Sequence, residues 1–222
     1  MNIALFDLDH TLIPLDSDYE WGQFLVRIGA VDGEAFSRRN AQFYAQYEAG
    51  TLDPVEYLEF ALGTLAGFTR KQLDAWHEQF MAEVIRPGIR QPALDLVRRH
   101  QDAGDEVVII TATNRFVTAP IAAALGVGNL IAAQPEETPE GEITGRLLGI
   151  PTSGQGKVVH LNDWLAAQGK SLSGFPRSYF YSDSQNDIPL LSAVTDPVAT
   201  NPNALLRAHA SAQGWPILSL FE

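Results

Sequence analysis

Ile3-Ala4-Leu5-Phe6-Asp7-Leu8-Asp9-His10-Thr11-Leu12 is the stretch on which the reading of this chain turns. Four apolar residues stop abruptly at an acid, and short apolar runs bounded by polar residues fit a strand buried on both faces. The same texture returns further on. Val107-Val108-Ile109-Ile110 ends at Thr111, Leu130-Ile131-Ala132-Ala133 follows, Tyr179-Phe180-Tyr181 ends at Ser182-Asp183, and the run 194–199 closes in Thr200-Asn201-Pro202. Between these runs, residues 92–103, 116–125, 157–168, 188–193 and 204–213 have helical spacing. Strands separated by helix-length segments describe βαβ units, so the fold class is α/β, with a parallel sheet covered by helices on both faces.

Residues 14–86 break the alternation. They contain no β-like run but carry helical patterns over 19–28, 34–47, 54–65 and 70–85, and read as a helical insertion. Asp53-Pro54 and Thr69 with Gln72 are helix starts, and Pro87-Gly88 is the expected exit. A second, smaller insertion spans 135–151, where residues 142–147 read as a hairpin. There is no internal repeat and no low-complexity segment.

Composition narrows the function classes. The chain has 222 residues, enough for a core without covalent staples, and no cysteine, which removes disulfides, zinc-thiolate sites and Cys nucleophiles. Its net charge of −12 opposes binding to nucleic-acid phosphates and anionic lipid. Met1 to Leu5 lead straight into charged residues, and no apolar run approaches the ~20 residues needed to cross a bilayer. A cytoplasmic protein, monomer or homodimer, with no nucleic-acid or membrane partner is expected.

In an open parallel sheet, ligands bind outside the carboxyl ends of the strands. The polar residues ending the apolar runs therefore matter most: Asp7 and Asp9, then Thr111, Thr113 and Asn114, then Asp183, Asn186 and Asp187, with Lys157 opening an intervening helix. Four carboxylates on one rim repel each other and raise one another's pKa unless a cation sits among them. Oxygen-only ligands point to a hard ion such as Mg²⁺. Mg²⁺, one lysine and hydroxyl or amide donors make a site for a phosphoryl group, with a carboxylate able to act as nucleophile. No Gly-rich nucleotide-binding loop with its Lys-Ser/Thr is present.

Phe6-Asp7-Leu8-Asp9-His10-Thr11-Leu12, Ile110-Thr111-Ala112-Thr113-Asn114, Lys157 and Tyr181-Ser182-Asp183-Ser184-Gln185-Asn186-Asp187 resemble, in order, the four motifs of the haloacid dehalogenase-like phosphohydrolases. The helical insertion after the first motif is similar to the cap of the phosphoserine phosphatase-like subgroup. The resemblance implies a Rossmann-like three-layer core of residues 1–14 and 87–222 and a C1-type helical cap of residues 15–86, hinged near 12–16 and 85–88. It implies Mg²⁺ and an aspartyl-phosphate. Asp7 would attack phosphorus and bind the metal. Asp9 would protonate the leaving oxygen, then serve as base, with its main-chain carbonyl on the metal. Thr111 and Lys157 would hold the phosphoryl group, joined by Thr11, Ala112, Thr113 and Asn114. Asp183 would ligate the metal directly, with Asn186 and Asp187 fixing it or a metal-bound water. A phosphotransferase, or a binding protein without catalysis, is the alternative on the same fold.

The five histidines are scattered without metal spacing. His10 reads as a loop residue and His77, His100, His160 and His209 as structural or solvent-facing. Tyr19, Trp21, Phe24, Phe43, Tyr44, Tyr47, Tyr57 and Phe60 sit at spacings that mostly make cap core. Asp16, Asp18, Glu20, Glu48, Glu56 and Glu59 make the cap acidic. Asp16 stands where phosphoserine phosphatases keep a Glu for the substrate ammonium, which implies an amine-bearing small phosphorylated metabolite. Laying Glu48-Ala49-Gly50-Thr51-Leu52 on the subgroup's cap turn puts Ala61 where those enzymes keep an Arg for the substrate carboxylate, leaving Arg38, Arg39 or Arg70 to substitute. Histidinol phosphate, which lacks a carboxylate, stands level with or slightly above phosphoserine.

Overall fold

The computed structural model describes residues 1–48 and 51–221, without the side chains of residues 44, 47 and 48. The expected roles of Tyr44, Tyr47, Glu48 and the turn at 49–50 lie outside the described residues. A seven-stranded sheet runs in the order β4-β3-β2-β1-β5-β6-β7, parallel except for the antiparallel β3–β4 pair. The strands are β1 (Ile3–Phe6), β2 (Glu106–Asn114), β3 (Asn129–Glu137), β4 (Ile143–Leu148), β5 (Ser178–Ser182), β6 (Asp196–Thr200) and β7 (Ile217–Leu218).

The period of two along β1 explains the layering. Ala4 and Phe6 face one apolar cluster with Val107, Ile109 and the helices α6 (Gln91–Asp102) and α7 (Arg115–Ala124). Ile3 and Leu5 face the other, with Val108, Ile110 and Phe180 against α8 (Gln155–Ala166), α9 (Ile188–Leu191) and α10 (Ala204–Gln213). All four β1 residues are fully buried, as expected for a central strand.

The insertion is helical throughout its regular elements: α1 (Ser17–Arg27), α2 (Gly33–Glu48), α3 (Pro54–Gly63) and α4 (Arg70–Phe80). Asp53 caps α3, with Pro54 in its first turn, and Thr69 with Gln72 forms a reciprocal capping box on α4. The cap keeps an aromatic group of its own, with Phe60 against Phe36 and Phe43, and also shares the core of the sheet. Trp21, Phe24, Leu62 and Phe80 belong to the same apolar cluster as Phe6 and Ile109. Trp21 stacks on His77 and meets Phe116 of α7 edge-on, and His77 Nε2 donates to the Val117 carbonyl at 2.9 Å. That acceptor-only partner requires a proton on Nε2, and burial lowers the His77 pKa, in keeping with a neutral ring.

Two expectations need correction. β2 does not stop near residue 111; it runs to Asn114 because a register shift lets Asn114 pair with Ala133 on the lengthened β3. Residues 142–147 are not a hairpin by themselves: β4 is the return strand of one whose outgoing strand is the far half of β3, pairing Glu137 with Ile143 and Gln134 with Leu148. The expected exit at Pro87-Gly88 agrees with the structure: α4 passes through a π-helical turn, Met81–Ile85, into α5 (Arg86–Gly88), and the helix ends there, with Ile89 extended. The short β7 carries too few residues to show a period.

On the α6 side of the sheet, His100 joins three elements. Its Nδ1 lies 2.8 Å from Asp105 Oδ2 and its Nε2 2.9 Å from the Tyr181 hydroxyl, while Asn2 Nδ2 donates to Asp105 Oδ1 at 2.9 Å. Burial alone would raise the Asp105 pKa; the bonds from His100 and Asn2 outweigh it and hold the carboxyl below its usual range. A depressed pKa contributes stability above the unfolded value of about 3.9 that is lost as pH falls through the folded value. Asp105→Asn is therefore expected to cost about 1.5–3 kcal/mol at neutral pH. The gap from wild type should narrow in denaturant titrations carried below about pH 4.

Candidate active site

The loop after β1 is shaped by its own main chain. Asp7 N–H donates to the Tyr181 carbonyl, and Thr11, Leu12 and Ile13 N–H all converge on the Leu8 carbonyl at 2.8–3.2 Å. Leu8, Leu12 and Ile13, fully buried, pin the turn to the core, and His10 takes a left-handed φ of 55°. Asn201, beyond β6, secures the turn from outside by donating Nδ2 to the His10 and Thr11 carbonyls at 3.0 and 3.3 Å.

Lys157 reaches this loop from the first turn of α8. Gly156 lets that turn start where it does: a Cβ there would lie 2.0 Å from the Pro151 carbonyl oxygen, so any side chain would displace the helix. Lys157 Nζ donates to Asp7 Oδ1 and Asp187 Oδ2, both at 2.7 Å, and is 2% exposed. Burial opposes its charge, but Asp187 and Asp7 outweigh that and raise its pKa above the usual lysine range. Asp187 Oδ2 also accepts from Ser182 Oγ at 2.6 Å. Burial lifts Asp7 to about 6 despite Lys157. Burial, followed by the charges of Asp7 and Asp187, lifts Asp183 to about 8.

Asp9 is held separately. Its Oδ1 accepts from Ser17 N–H and its Oδ2 from Thr113 Oγ1, both at 2.8 Å, so one bond comes from the cap and the other from β2. Burial, then the neighbouring Asp16 charge, lifts its pKa to about 8. Thr111, 1% exposed, turns its Oγ1 to the Thr113 N–H at 3.2 Å.

The expected residues do not all hold equivalent positions. Asp7, Thr11, Lys157, Asp183 and Asp187 are linked by hydrogen bonds, and Asp9 is held apart from them by Ser17 and Thr113. Ala112 and the side chain of Asn186 are exposed, and Asn186 N–H donates to Ser184 Oγ. Asp187 faces Lys157 and Ser182. Asn114 caps α7 through Oδ1, which accepts from Val117 N–H, and donates Nδ2 to Asp18 in the cap at 3.3 Å. Asp16 caps α1, its Oδ1 accepting from Asp18 and Tyr19 N–H. Arg38 pairs with Glu34, Arg39 with Glu56, and Arg70 with Asp74 and Glu137, all with partly exposed side chains. Ser182 and Asn201 escape a sequence reading; only the polar residues closing the strand runs hint at them.

The donor set suits a hard dication. Thr11 Oγ1 stands 3.4 Å from both Asp7 Oδ2 and Asp183 Oδ1 and accepts from Asp183 N–H at 3.1 Å. One hydroxyl proton cannot satisfy two carboxylates. Among the described residues no group of three or more Asp, Glu or His side chains surrounds one point, so the protein offers two carboxylates, with main-chain carbonyls and water to complete the shell. Mg²⁺ is held in that manner, keeping several waters beside one or two carboxylates.

Comparison with known proteins agrees with this geometry. The sequence profile of the haloacid dehalogenase-like hydrolases matches residues 4–192. The chain is 44% identical over 218 residues to a histidinol-phosphatase of Neisseria meningitidis, covering 98% of both chains. It is 33% identical to a phosphoserine phosphatase of Mycobacterium tuberculosis, covering 96% of this chain and 69% of that one. A crystal structure of a Bordetella pertussis protein of unknown function superposes with a TM-score of 0.94 at 53% identity, covering 99% and 98%. A substrate-bound phosphoserine phosphatase superposes at 0.69 with 15% identity, covering 98% and 92%, a likeness of fold alone. With the motif residues gathered at the carboxyl edge of β1, β2 and β5, and with this match over most of its length, the chain belongs to the haloacid dehalogenase-like hydrolases.

Proposed function

We propose that this protein is a Mg²⁺-dependent phosphatase that hydrolyses a small phosphate monoester through a phosphorylated Asp7. The observation that carries the proposal is the Lys157 bridge: it binds one oxygen of Asp7 and leaves Oδ2 at the Thr11 hydroxyl, which Asp183 Oδ1 also approaches. Charge neutralisation on the phosphoryl oxygens is what Mg²⁺ supplies when bound by Asp7 and Asp183.

The chain's own residues do the rest. Asp7 attacks phosphorus as the ester P–O bond breaks, and Asp9 gives its proton to the departing alkoxide. Asp9 then takes a proton from the water that attacks phosphorus, releasing inorganic phosphate and restoring the Asp7 carboxylate. The elevated pKa of Asp9 suits a proton carrier. Lys157 and Thr111 supply the positive charge and the hydroxyl for the phosphoryl oxygens. The cap, residues 15–86, excludes water and meets the leaving group.

An amine-bearing ester suits this site, and histidinol phosphate ranks above phosphoserine. Arg38, Arg39 and Arg70 are paired with carboxylates of their own, and Ala61 lines the cap interior where a carboxylate-binding Arg would be needed. The 44% identical relative is named for histidinol phosphate.

Three outcomes are expected. Asp7→Asn should abolish Mg²⁺-dependent phosphate release from p-nitrophenyl phosphate without lowering the melting temperature; retained activity would overturn the mechanism. Lys157→Ala should abolish activity and cost about 3–5 kcal/mol in denaturant unfolding, because it leaves Asp7 and Asp187 buried without their cation. Measured side by side, kcat/KM should favour histidinol phosphate; a preference of about tenfold for phosphoserine, or about 1.4 kcal/mol, reverses the assignment.

A further inference from the structure

Two hydrogen bonds hold the Asp9 carboxyl, and they come from different parts of the chain. Ser17 N–H donates to Oδ1 at 2.8 Å from the start of α1, so that bond belongs to the cap. Thr113 Oγ1 donates to Oδ2 at 2.8 Å from the end of β2, so that bond belongs to the core. Among the described residues no Lys, Arg or His pairs with Asp9 within 4.0 Å, so hydrogen bonds, and not an ion pair, set its orientation.

Thr113 is placed for this task. It is 7% exposed and shares one face of β2 with Thr111, while Ala112 between them is exposed on the other. Its branched Cβ restricts χ1, so the strand itself fixes the direction of the hydroxyl. A hydroxyl has one proton, and here Asp9 Oδ2 takes it. Thr111 is the opposite case. Its Oγ1 accepts from Thr113 N–H at 3.2 Å, and among the described residues no acceptor takes its proton. A free proton suits a phosphoryl oxygen, and a committed one does not.

We propose that Thr113 is a positioning residue for the catalytic acid and not a ligand of the phosphoryl group. The proposal rests on the phosphatase reading above and adds a division of labour at the end of β2. Thr111 serves the phosphoryl group through its side chain, steadied by the Thr113 main chain, and the Thr113 side chain serves Asp9. The Ser17 bond alone would leave the carboxyl able to turn about its Cβ–Cγ bond; the second bond, from β2, fixes its plane. A carboxyl oxygen has two lone-pair directions, and Thr113 takes one on Oδ2, leaving the other for the proton that the reaction transfers.

The test is the leaving-group dependence of kcat/KM, which covers the steps up to departure of the leaving oxygen. Thr113→Val keeps the side-chain shape and the N–H to Thr111 and removes the bond to Asp9. A p-nitrophenolate departs without a proton, whereas an alkoxide needs one. The alkyl ester is whichever of histidinol phosphate, phosphoserine and phosphoethanolamine wild type turns over best. Its kcat/KM relative to p-nitrophenyl phosphate should fall by about tenfold or more in Thr113→Val. Thr113→Ser should bring the ratio back to within about threefold of wild type, since the hydroxyl returns with a freer χ1. Thr113→Ala takes the place of the valine variant if that one fails to fold. Equal losses on the aryl and alkyl esters overturn the proposal: with weaker inhibition by inorganic phosphate they make Thr113 a phosphoryl ligand, and with a lowered melting temperature a support of the strand. An unchanged ratio, or a serine variant no better than valine, overturns it as well. Wild-type turnover of the aryl ester alone would remove the acid that Thr113 positions. No turnover of any ester by wild type would instead remove the phosphatase reading itself.

Discussion

The ion triad of Asp7, Lys157 and Asp187 is the constraint from which the rest of the site follows. A lone ammonium buried at 2% exposure would carry a prohibitive desolvation cost, and the two carboxylates at 2.7 Å offset it. The three groups come from the end of β1, the first turn of α8 and the turn after β5. Their geometry is thus a statement about strand order: β1 must lie beside β5, and α8 must begin where Gly156 permits it. The triad also leaves a surplus. Lys157 pairs with two acids and not with the Asp183 carboxylate nearby, an excess of negative charge that suits the dication proposed above.

The cap is bound to this centre more tightly than an inserted domain need be. Its aromatic residues complete the apolar layer on one face of the sheet, with Trp21 against Phe116 and His77 against Val117. Two polar ties repeat the connection nearer the chemistry: Ser17 N–H holds Asp9, and Asn114 holds Asp18. Opening the cap would therefore expose apolar surface and release the Ser17 hold on Asp9 together. The helical passage from α4 through the π turn into α5 makes one of its two joints a continuous rod.

The local readings that succeeded were those in which a residue's role depends on its immediate neighbours. β1 and β5, the caps at Asp53 and Thr69, and the helical nature of the insertion were legible because alternation, capping and helical spacing act over a few residues. Where pairing across the sheet decided the outcome, the sequence was mute. β2 extends to Asn114 because β3 is there to pair with it, and the far half of β3 becomes a strand because β4 returns along it. The exit at Pro87-Gly88, by contrast, is a local signal, and the helix ends there.

The same division runs through the site. The sequence by itself determined the chemistry available: which polar residues close the apolar runs, that their side chains offer oxygen donors, and that one lysine stands among several acids. Only the tertiary structure decided their partnerships. It assigned Asp187 to Lys157, gave Asn114 to Asp18, used Asp16 to cap its own helix, and brought in Ser182 and Asn201, whose value lies in reaching groups far away in the chain. The physical reason is one of range. Identity sets what a side chain can donate, accept or ionise, whereas its partners, which set what it does, come from segments as much as 191 residues distant.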